Sequence, residues 1–165
     1  MPNWCSNSFE VSHTDPAMVT KFIECVRAGN LFETFIPYGE WDYNTSVEQW
    51  GTKWDISSGD GDIAADGKSA SGWFDTAWSP AIAAYEKLED LGFELNVLYF
   101  ESGMCFAGQY IQGEDDYYEY DFSNENWRED IHNDDVLEYL EAEYENWLSW
   151  QEDEEQEEDG SEDSR

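Results

Sequence analysis

Three carboxylates are the residues of this chain whose types and positions best suit chemistry. Asp55 and Asp75 flank a tryptophan-rich region, and Glu101 lies on a predicted strand. Two carboxylates can divide the acid and base work of glycosidic bond cleavage. No residue is identifiable that would orient a nucleophile or a water between them, so the pattern supports a small hydrolase or metal-dependent enzyme only as an alternative.

Residues 61–69 weakly resemble two kinds of ligand-binding loop. The Gly-Lys-Ser at 67–69 is similar to the end of a phosphate-binding loop, but the upstream glycine is misplaced. Asp60, Asp62 and Asp66 resemble the start of a calcium loop whose required glycine and closing glutamate are not at their positions. A Gly- and Asp-rich segment is more typical of a turn, so we expect a turn here, with a weak divalent site as the alternative.

The histidines and cysteines do not form a recognisable metal or redox motif. His13 and His132 are far apart and lie in no HxxxH or HExxH pattern. Cys5, Cys25 and Cys105 are widely spaced and include no CxxC pair, which argues against a disulfide framework, a zinc site or an iron–sulfur cluster. We therefore expect free thiols in a reducing compartment and no cofactor.

The net charge limits the classes of partner. The chain of 165 residues has 40 acidic and 7 basic residues, a net charge of −33. Residues 1–112 carry a net charge of −12 and residues 113–165 a net charge of −21. Such a surface repels nucleic acid and anionic membranes and favours basic protein surfaces. Because no apolar run is long enough to cross a bilayer and the N-terminus has no basic leader, we expect a soluble cytoplasmic protein.

The N-terminal region predicts a strand followed by a helix. Residues 4–11 alternate between polar and apolar side chains, as a strand does. Asp15 and Pro16 then form a helix start, and the apolar spacing from Val19 to Val26 gives the helix one apolar face. Gly29 stands where a left-handed C-terminal cap is expected.

The tryptophan-rich centre predicts a β-hairpin. Residues 50–55 and 73–80 contain good strand formers, and residues 57–62 between them are dense in turn formers. The alternation places Trp73 and Asp75 on one face. We expect the tryptophans to be mainly core residues, with an exposed face that docks a partner as the alternative.

The remaining elements complete a mixed fold. Residues 30–49 are predicted to be irregular, with a surface loop at 39–45, and a helix is expected to begin at Ser79 and Pro80 and end at Gly92. Strands are predicted at 93–100, 104–111 and 117–122. This order predicts an α+β fold, a ferredoxin-like split β-α-β sheet with extra C-terminal antiparallel strands.

Four ordered blocks within residues 1–112 resemble the YubB-type ferredoxin-like family, which bacteriophages and plasmids carry. The resemblance implies the fold and a mobile-element origin, and it implies no reaction, cofactor or catalytic residue. The residues that carry the resemblance are Trp4, Trp50, Gly51, Lys53, Trp54, Asp55, Trp78, Ser79, Pro80, Glu101 and Gly103.

The C-terminal third predicts a helix and an acidic tail. Residues 113–150 are expected to form an extension whose helix is capped at Asp134 and Asp135 and has an apolar stripe from Val136 to Leu148. Residues 152–165 contain no apolar side chain, so the tail 151–165 is predicted to be disordered. The predicted organisation is thus a domain at 1–112, an extension at 113–150 and a tail.

The charge pattern favours a binding protein over an enzyme. We expect a non-enzymatic accessory protein that binds and inhibits a basic, nucleic-acid-handling or defence protein of the host, and whose rows of carboxylates imitate DNA. The alternatives are the carboxylate enzyme and a structural or assembly module whose tail only confers solubility. The acids expected to contact the partner lie on a predicted loop and on the outer face of the last helix: Glu114, Asp115, Asp116, Glu138, Glu141 and Glu145.

Overall fold

The protein is a mixed α+β chain with a six-stranded antiparallel sheet and a C-terminal helix. A computed structural model describes the backbone of residues 3–163 and the side chains of residues 3–155. The chain divides into two compact units, the first ending at Glu119 and the second beginning at Tyr120. The elements are β1 (Trp4–Ser12), α1 (Pro16–Ala28), α2 (Leu31–Phe35), α3 (Tyr43–Trp50), β2 (Asp60–Ile63), β3 (Ser69–Ala77), α4 (Ile82–Asp90), β4 (Glu94–Glu101), β5 (Phe106–Ile111), β6 (Glu114–Glu119) and α5 (Asp134–Asp163).

The sheet has the strand order β2-β3-β1-β4-β5-β6, and every neighbouring pair is antiparallel. Burial alternates along β1, where Cys5, Asn7 and Phe9 are buried while Ser6 and Ser8 are exposed. We call the side of the buried residues the core face and the other side the open face. Because paired residues share a face, the register assigns every strand residue to one of the two.

The main core lies between the core face and the helices α1 and α4. Phe22 of α1 packs edge-on against Phe9, and Tyr85 of α4 lies near Phe74. The predicted limits of α1 are confirmed: the Asp15 side chain accepts a hydrogen bond from the Ala17 backbone N–H, and Gly29 takes the left-handed conformation.

The predicted hairpin between residues 50–55 and 73–80 is wrong. Trp50 is the last residue of α3, and residues 51–55 form bends instead of a strand. The Asp42 carboxylate caps α3 by accepting the Thr45 backbone N–H, and Gly51 ends it at φ 80°. These two caps, together with the burial of the Trp50 ring, outweigh the strand preference of the tryptophan.

The true partner of β3 at this edge is β2, within the segment predicted to be a turn. Gly61 of β2 lies opposite Gly72 of β3, and a Cβ on Gly72 would meet the Asp60 carbonyl oxygen at 2.1 Å. The glycines therefore permit a close approach of two backbones, which their turn-forming character conceals in the sequence.

Residues 30–49, predicted to be irregular, contain α2 and α3. Phe32 and Ile36 are buried, whereas Pro37 is exposed. The N-terminus of α2 lacks a side-chain cap from Asn30, its own N-cap residue. A carboxylate distant in sequence, Asp55, supplies the cap, which is why local patterns do not reveal this helix.

The fourth helix begins at Ile82, two residues after the predicted start at Pro80. Ser79 does not cap it, because its hydroxyl donates to the Gly51 carbonyl oxygen at 2.8 Å. Tyr85 and Leu88 are buried, but Leu91 is exposed.

A buried polar network fixes the turn that precedes α4. The Asn7 side-chain amide donates to Thr76 Oγ1 at 3.0 Å and accepts from the Tyr85 hydroxyl at 2.6 Å. Thr76 Oγ1 in turn donates to the Ser79 carbonyl oxygen at 2.6 Å. Since every member has a partner, the network holds β1, β3, α4 and the turn in one arrangement.

The sixth strand extends the first unit beyond residue 112. β6 occupies residues 114–119, three residues earlier than the strand predicted at 117–122, and pairs with β5 along its length. Glu114, Asp115 and Asp116 therefore lie on an edge strand and not on the predicted loop.

The second unit has its own aromatic cluster. Phe122 contacts Trp127, Tyr144 and Trp147, and Val136 and Leu140 of α5 are buried. The predicted apolar stripe is thereby confirmed at its N-terminal end, although Leu148 is 40% exposed. The disorder predicted for the tail is not confirmed, because the helix continues through Asp163. Residues 164 and 165 lie outside the described residues.

Candidate partner-binding surfaces

The family-motif residues, which are scattered over a hundred positions, meet at one end of the sheet. The Trp78 backbone N–H donates to the Asn3 carbonyl oxygen at 2.8 Å, next to Trp4. A Cβ on Gly103 would meet Asn3 Nδ2 at 2.8 Å, which places the 101–103 turn against the same residue. The Trp4 and Trp54 rings lie 6.3 Å apart. The fold therefore gathers the four blocks in one region of the first unit.

The tryptophans of the first unit have different environments. Trp50 is 6% exposed and its indole N–H donates to the Ile36 carbonyl oxygen, so the core prediction is confirmed for this ring. Trp4, Trp73 and Trp78 are 39%, 50% and 47% exposed, so the core prediction is wrong for Trp73 and Trp78. We call Trp4, Trp73 and Trp78, together with Asp75, the tryptophan surface.

The register places three members of this surface on the open face. Trp4 pairs with Ala77, Ser6 with Asp75 and Ser8 with Trp73. Trp73 and Ala77 are four positions apart along β3, and Trp4 lies opposite Ala77. The indoles of Trp73 and Trp4 therefore project about 13 Å apart along the sheet. Asp75 lies between them, and this common face of Trp73 and Asp75 is the part of the hairpin prediction that is confirmed.

Trp78 has a left-handed backbone conformation, with φ 71°. Such a φ costs free energy for any residue with a Cβ and is rare for a bulky one. The Asn3 hydrogen bond and the polar network of Thr76 and Ser79 hold the conformation. The turn thus keeps a large indole in solvent at a conformational cost, an arrangement typical of binding sites.

Asp75 is a half-buried carboxylate without a cationic partner among the described residues. Burial raises its pKa above the ordinary aspartate range, while a hydrogen bond from the Ser6 side chain acts in the opposite direction. A partly desolvated charge is costly until a cation or additional donors reach it.

The three candidate catalytic carboxylates do not form one site. Asp55 accepts hydrogen bonds from the Phe32 and Glu33 backbone N–H groups at 3.0 Å and 2.9 Å, so it caps α2. Glu101 is 2% exposed and accepts from the backbone of the turn that follows it. Asp75 and Glu101 lie on opposite faces of the sheet, because Ser6 pairs with both Asp75 and Phe100.

The remaining motif residues have structural contacts. Gly51 lies tightly against the start of α4, since a Cβ there would meet the Ala83 backbone nitrogen at 3.1 Å. Lys53 places its ammonium 4.4 Å from the centroid of the Trp54 ring. Its carbonyl oxygen accepts from the indole of Trp41, an exposed residue that the sequence did not single out.

The acids predicted to bind a partner on β6 differ in their surroundings. The Glu114 side chain is exposed and makes no hydrogen bond or ion pair with the described residues. Asp115 accepts a hydrogen bond from the Tyr99 hydroxyl, and burial is the main reason why its pKa is raised. Asp116 accepts from the Tyr118 hydroxyl at 2.9 Å.

The acids predicted to bind a partner on α5 are all exposed, as expected. Glu141 already has a cation, because Arg128 Nε lies 3.1 Å from its Oε1. The Arg128 guanidinium also stacks over the Trp127 and Tyr144 rings. Glu138 and Glu145 make no such contact with the described residues, so their charges are not offset locally.

A concave pocket of about 840 Å³ lies in the first unit. Three exposed acids and three serines are among its lining residues, and Ser12 Oγ donates to Glu94 Oε2 at 3.3 Å. The exposed acids are Glu10, Asp62 and Glu94, and a fourth acid of the lining, Glu89, is half-buried. Across residues 3–155, no three His, Cys, Asp or Glu side chains are arranged to hold a metal ion. The lining of this pocket is therefore negatively charged.

The three cysteines differ in burial. Cys5, Cys25 and Cys105 are free thiols, and burial raises the pKa of Cys5 to about 12, which keeps it protonated. Cys105 is partly exposed, unlike the other two. In the part of the chain that the structure describes, no helix is both long and apolar enough to cross a bilayer.

Comparison with known proteins identifies no relative: no family model matches the chain, and no curated protein or solved structure matches it either. The resemblance to the YubB-type family therefore stays a prediction from the sequence.

Proposed function

We propose that this chain is a non-enzymatic accessory protein of a phage or plasmid, built on a ferredoxin-like sheet. In the cytoplasm of a bacterial host it binds a basic, nucleic-acid-handling or defence protein and blocks the surface that holds DNA. The mobile-element origin and the ferredoxin-like label depend on the resemblance of the motif blocks. The excess of negative charge supports the binding activity.

The observation that carries the proposal is the excess of carboxylates without a cationic partner. The sequence has 40 acidic residues against 7 basic ones, so most carboxylates have no cation of the chain to pair with, although Arg27 pairs with Asp60 and Arg128 with Glu141. Like charges crowded on one molecule oppose its compact state. A basic protein surface relieves that repulsion on binding and is attracted over distances of about 8 Å at physiological salt.

The outer face of α5 is the best candidate for an ordered row of charges. Glu138 and Glu145 are two helical turns apart, which corresponds to about 10.5 Å along the axis. Successive phosphates of one DNA strand rise by about 3.4 Å, so this separation approximates three phosphate steps. Acids held at this spacing place negative charges where a DNA-binding partner would otherwise contact the phosphates of DNA.

The edge strand β6 supplies a second, smaller group of charges. Glu114 is the acid of this group that has no local partner. Acids on an edge strand also prevent pairing with another sheet, so their presence alone does not require a ligand. We therefore assign the main contribution to α5 and a lesser one to β6.

The experiment is affinity capture from a bacterial lysate, followed by association measurements with the captured protein at several salt concentrations. The double variant Glu138→Gln/Glu145→Gln should slow association and flatten its salt dependence. Glu141→Gln is the matched control on the same helix. We expect a smaller effect from it, because Arg128 already offsets the charge of Glu141.

Equal effects of the double variant and of the control would contradict a specific role for the two unpaired acids. Failure to capture any basic protein at low salt would contradict the proposal itself and favour a structural module whose charge serves solubility.

A further inference from the structure

The tryptophan surface combines apolar area with solvent exposure. Trp4, Trp73 and Trp78 each leave more than a third of their accessible surface in water. An isolated exposed tryptophan needs no explanation, but several within one region are typical of an interaction site. Trp78 adds an independent observation, because its left-handed backbone is held by the network described above instead of relaxing.

Asp75 gives this surface a preference for positive charge. It is the acid between Trp4 and Trp73 on the open face, and its hydrogen bond comes from Ser6. Neither ion pair among the described residues involves it. A cation that reached Asp75 would pair with a carboxylate that is already partly desolvated, where an ion pair is stronger than in open water.

The chain already places one of its own cations on a ring beside the tryptophan surface. The Lys53 ammonium lies 4.4 Å from the Trp54 centroid, and Trp54 is the ring adjacent to Trp4. The same end of the sheet thus holds an intramolecular example of a cation on an indole face. Trp4, Trp73 and Trp78 have no cation of the chain over their rings among the described residues.

We infer that the tryptophan surface is the docking site for an arginine-containing segment of the basic partner, with one guanidinium paired to Asp75 and stacked on Trp73 or Trp4. This inference rests on the proposed function, because that function is what makes the partner basic. The tryptophan surface would contact the partner separately from the acids of α5.

The chemistry favours arginine over other occupants. A guanidinium is planar, so it can stack on an indole while its edge donates two parallel hydrogen bonds to a carboxylate. A lysine ammonium satisfies only part of that geometry. Single-stranded nucleic acid also stacks on aromatic rings, but it needs a positively charged groove, and this chain has a net charge of −33.

The test uses the full chain and two short peptides, one of alternating arginine and glycine and one in which neutral citrulline replaces each arginine. Indole signals in ¹H–¹⁵N spectra report binding at each tryptophan. We expect the arginine peptide to shift the signals of Trp4, Trp73 and Trp78 and to leave the buried Trp50 and Trp127 unchanged. The citrulline peptide should bind about tenfold more weakly, since it lacks the charge.

Single variants distinguish binding at the tryptophan surface from nonspecific attraction between the acidic chain and a basic peptide. Trp73→Ala and Asp75→Asn should each weaken binding of the arginine peptide by about five- to tenfold. Trp150→Ala is the matched control, because Trp150 is 71% exposed but lies in the second unit. It should bind the peptide like the wild type. Thermal melting of each variant checks that the fold is retained.

Three results would overturn the inference or the proposal beneath it. If Trp73→Ala and Asp75→Asn bind the arginine peptide like the wild type while Glu138→Gln/Glu145→Gln binds it more weakly, the docking site is wrong and the proposed function stands. If the wild type does not distinguish the arginine from the citrulline peptide, the proposed function fails as well. If a neutral oligosaccharide shifts the same indoles and the arginine peptide does not, the surface is a sugar site.

Discussion

Two tryptophans with the same apparent role in the sequence differ sharply in burial. Trp50 is 6% exposed, packs at a tilt against the Phe32 and Tyr38 rings, and donates its indole N–H to a backbone oxygen. Trp73 is 50% exposed on the open face. A Trp50→Ala variant should lose about 3–5 kcal/mol of unfolding free energy, the usual cost of deleting a large buried aromatic side chain.

Trp73→Ala is the matched variant and should lose no more than about 1 kcal/mol, because surface substitutions rarely cost more. Chemical denaturation of both proteins, monitored by circular dichroism, gives the two values. Similar losses from the two variants would contradict the assignment of Trp73 to the surface.

The charge of Asp75 should make the stability of the folded protein depend on pH. Burial raises its folded-state pKa, whereas the unfolded chain has the ordinary value of about 3.9. Between the two values the folded state binds more protons than the unfolded state, so the cost of the buried charge is present at neutral pH and is lost as the pH falls. Asp75→Asn, which removes the charge and keeps an acceptor for Ser6, should therefore melt at a higher temperature than the wild type at pH 7.

The difference in melting temperature should shrink as the pH approaches about 4, where the wild-type carboxyl becomes protonated. A variant less stable than the wild type at pH 7 would show that the Asp75 charge has a stabilising partner.

At this scale the sequence predicts types of residue better than their surroundings. The apolar spacing of α1 identifies Val19, Phe22 and Val26 as core residues, and all three are buried. The left-handed conformation of Trp78 could not be predicted from the sequence, since glycine and asparagine are the residues that normally adopt it. The surface role of Trp73 is equally hidden, because indoles serve both cores and interfaces.

Helix α2 depends on a cap from outside its own sequence. The Asp55 carboxylate accepts the Phe32 and Glu33 backbone N–H groups, and burial raises its pKa despite these donors. Asp55→Ala should destabilise the protein by about 1–2 kcal/mol, the usual range for loss of an N-cap. Asp55→Asn keeps an acceptor oxygen and should lose less. Equilibrium denaturation measures both, and equal losses would indicate that the charge and not the cap is what α2 requires.

The elements that local patterns reveal are those with their own start and stop signals. Asp15, Pro16 and Gly29 delimit α1, and its predicted ends agree with the structure. The predicted hairpin is wrong because the caps at Asp42 and Gly51 make Trp50 the end of a helix, whatever the strand preference of its side chain. The pairing of β2 with β3 requires a close approach at Gly61 and Gly72, which only the folded sheet reveals.

At the scale of the whole molecule, the acidic C-terminus is evident from the composition, but no packing contact of the described residues explains why it is helical. Residues 152–165 have no apolar side chain, although the backbone is helical through Asp163. Deleting residues 152–165 should leave the melting temperature nearly unchanged, since no buried apolar area is lost. The helical circular dichroism signal should decrease. A large fall in melting temperature would indicate that the acidic end of α5 is docked.

The candidate site was only partly predictable for a similar reason. Exposure of Glu138 and Glu145 follows from helical periodicity. The pairing of Glu141 with Arg128 does not, because thirteen residues separate the two and the contact depends on how the second unit folds. The charge excess is visible in the composition, whereas its distribution between paired and unpaired acids needs the structure.

The most direct measurement of the central claim is elution by duplex DNA of the protein captured from a bacterial lysate at low salt. If the unpaired carboxylates occupy the DNA site of a basic partner, a basic, DNA-binding protein should be retained on the immobilised chain. Short double-stranded DNA should then release it in a concentration-dependent manner, and less DNA should be needed when the immobilised chain carries Glu138→Gln/Glu145→Gln. A retained partner that duplex DNA fails to displace would contradict the claim.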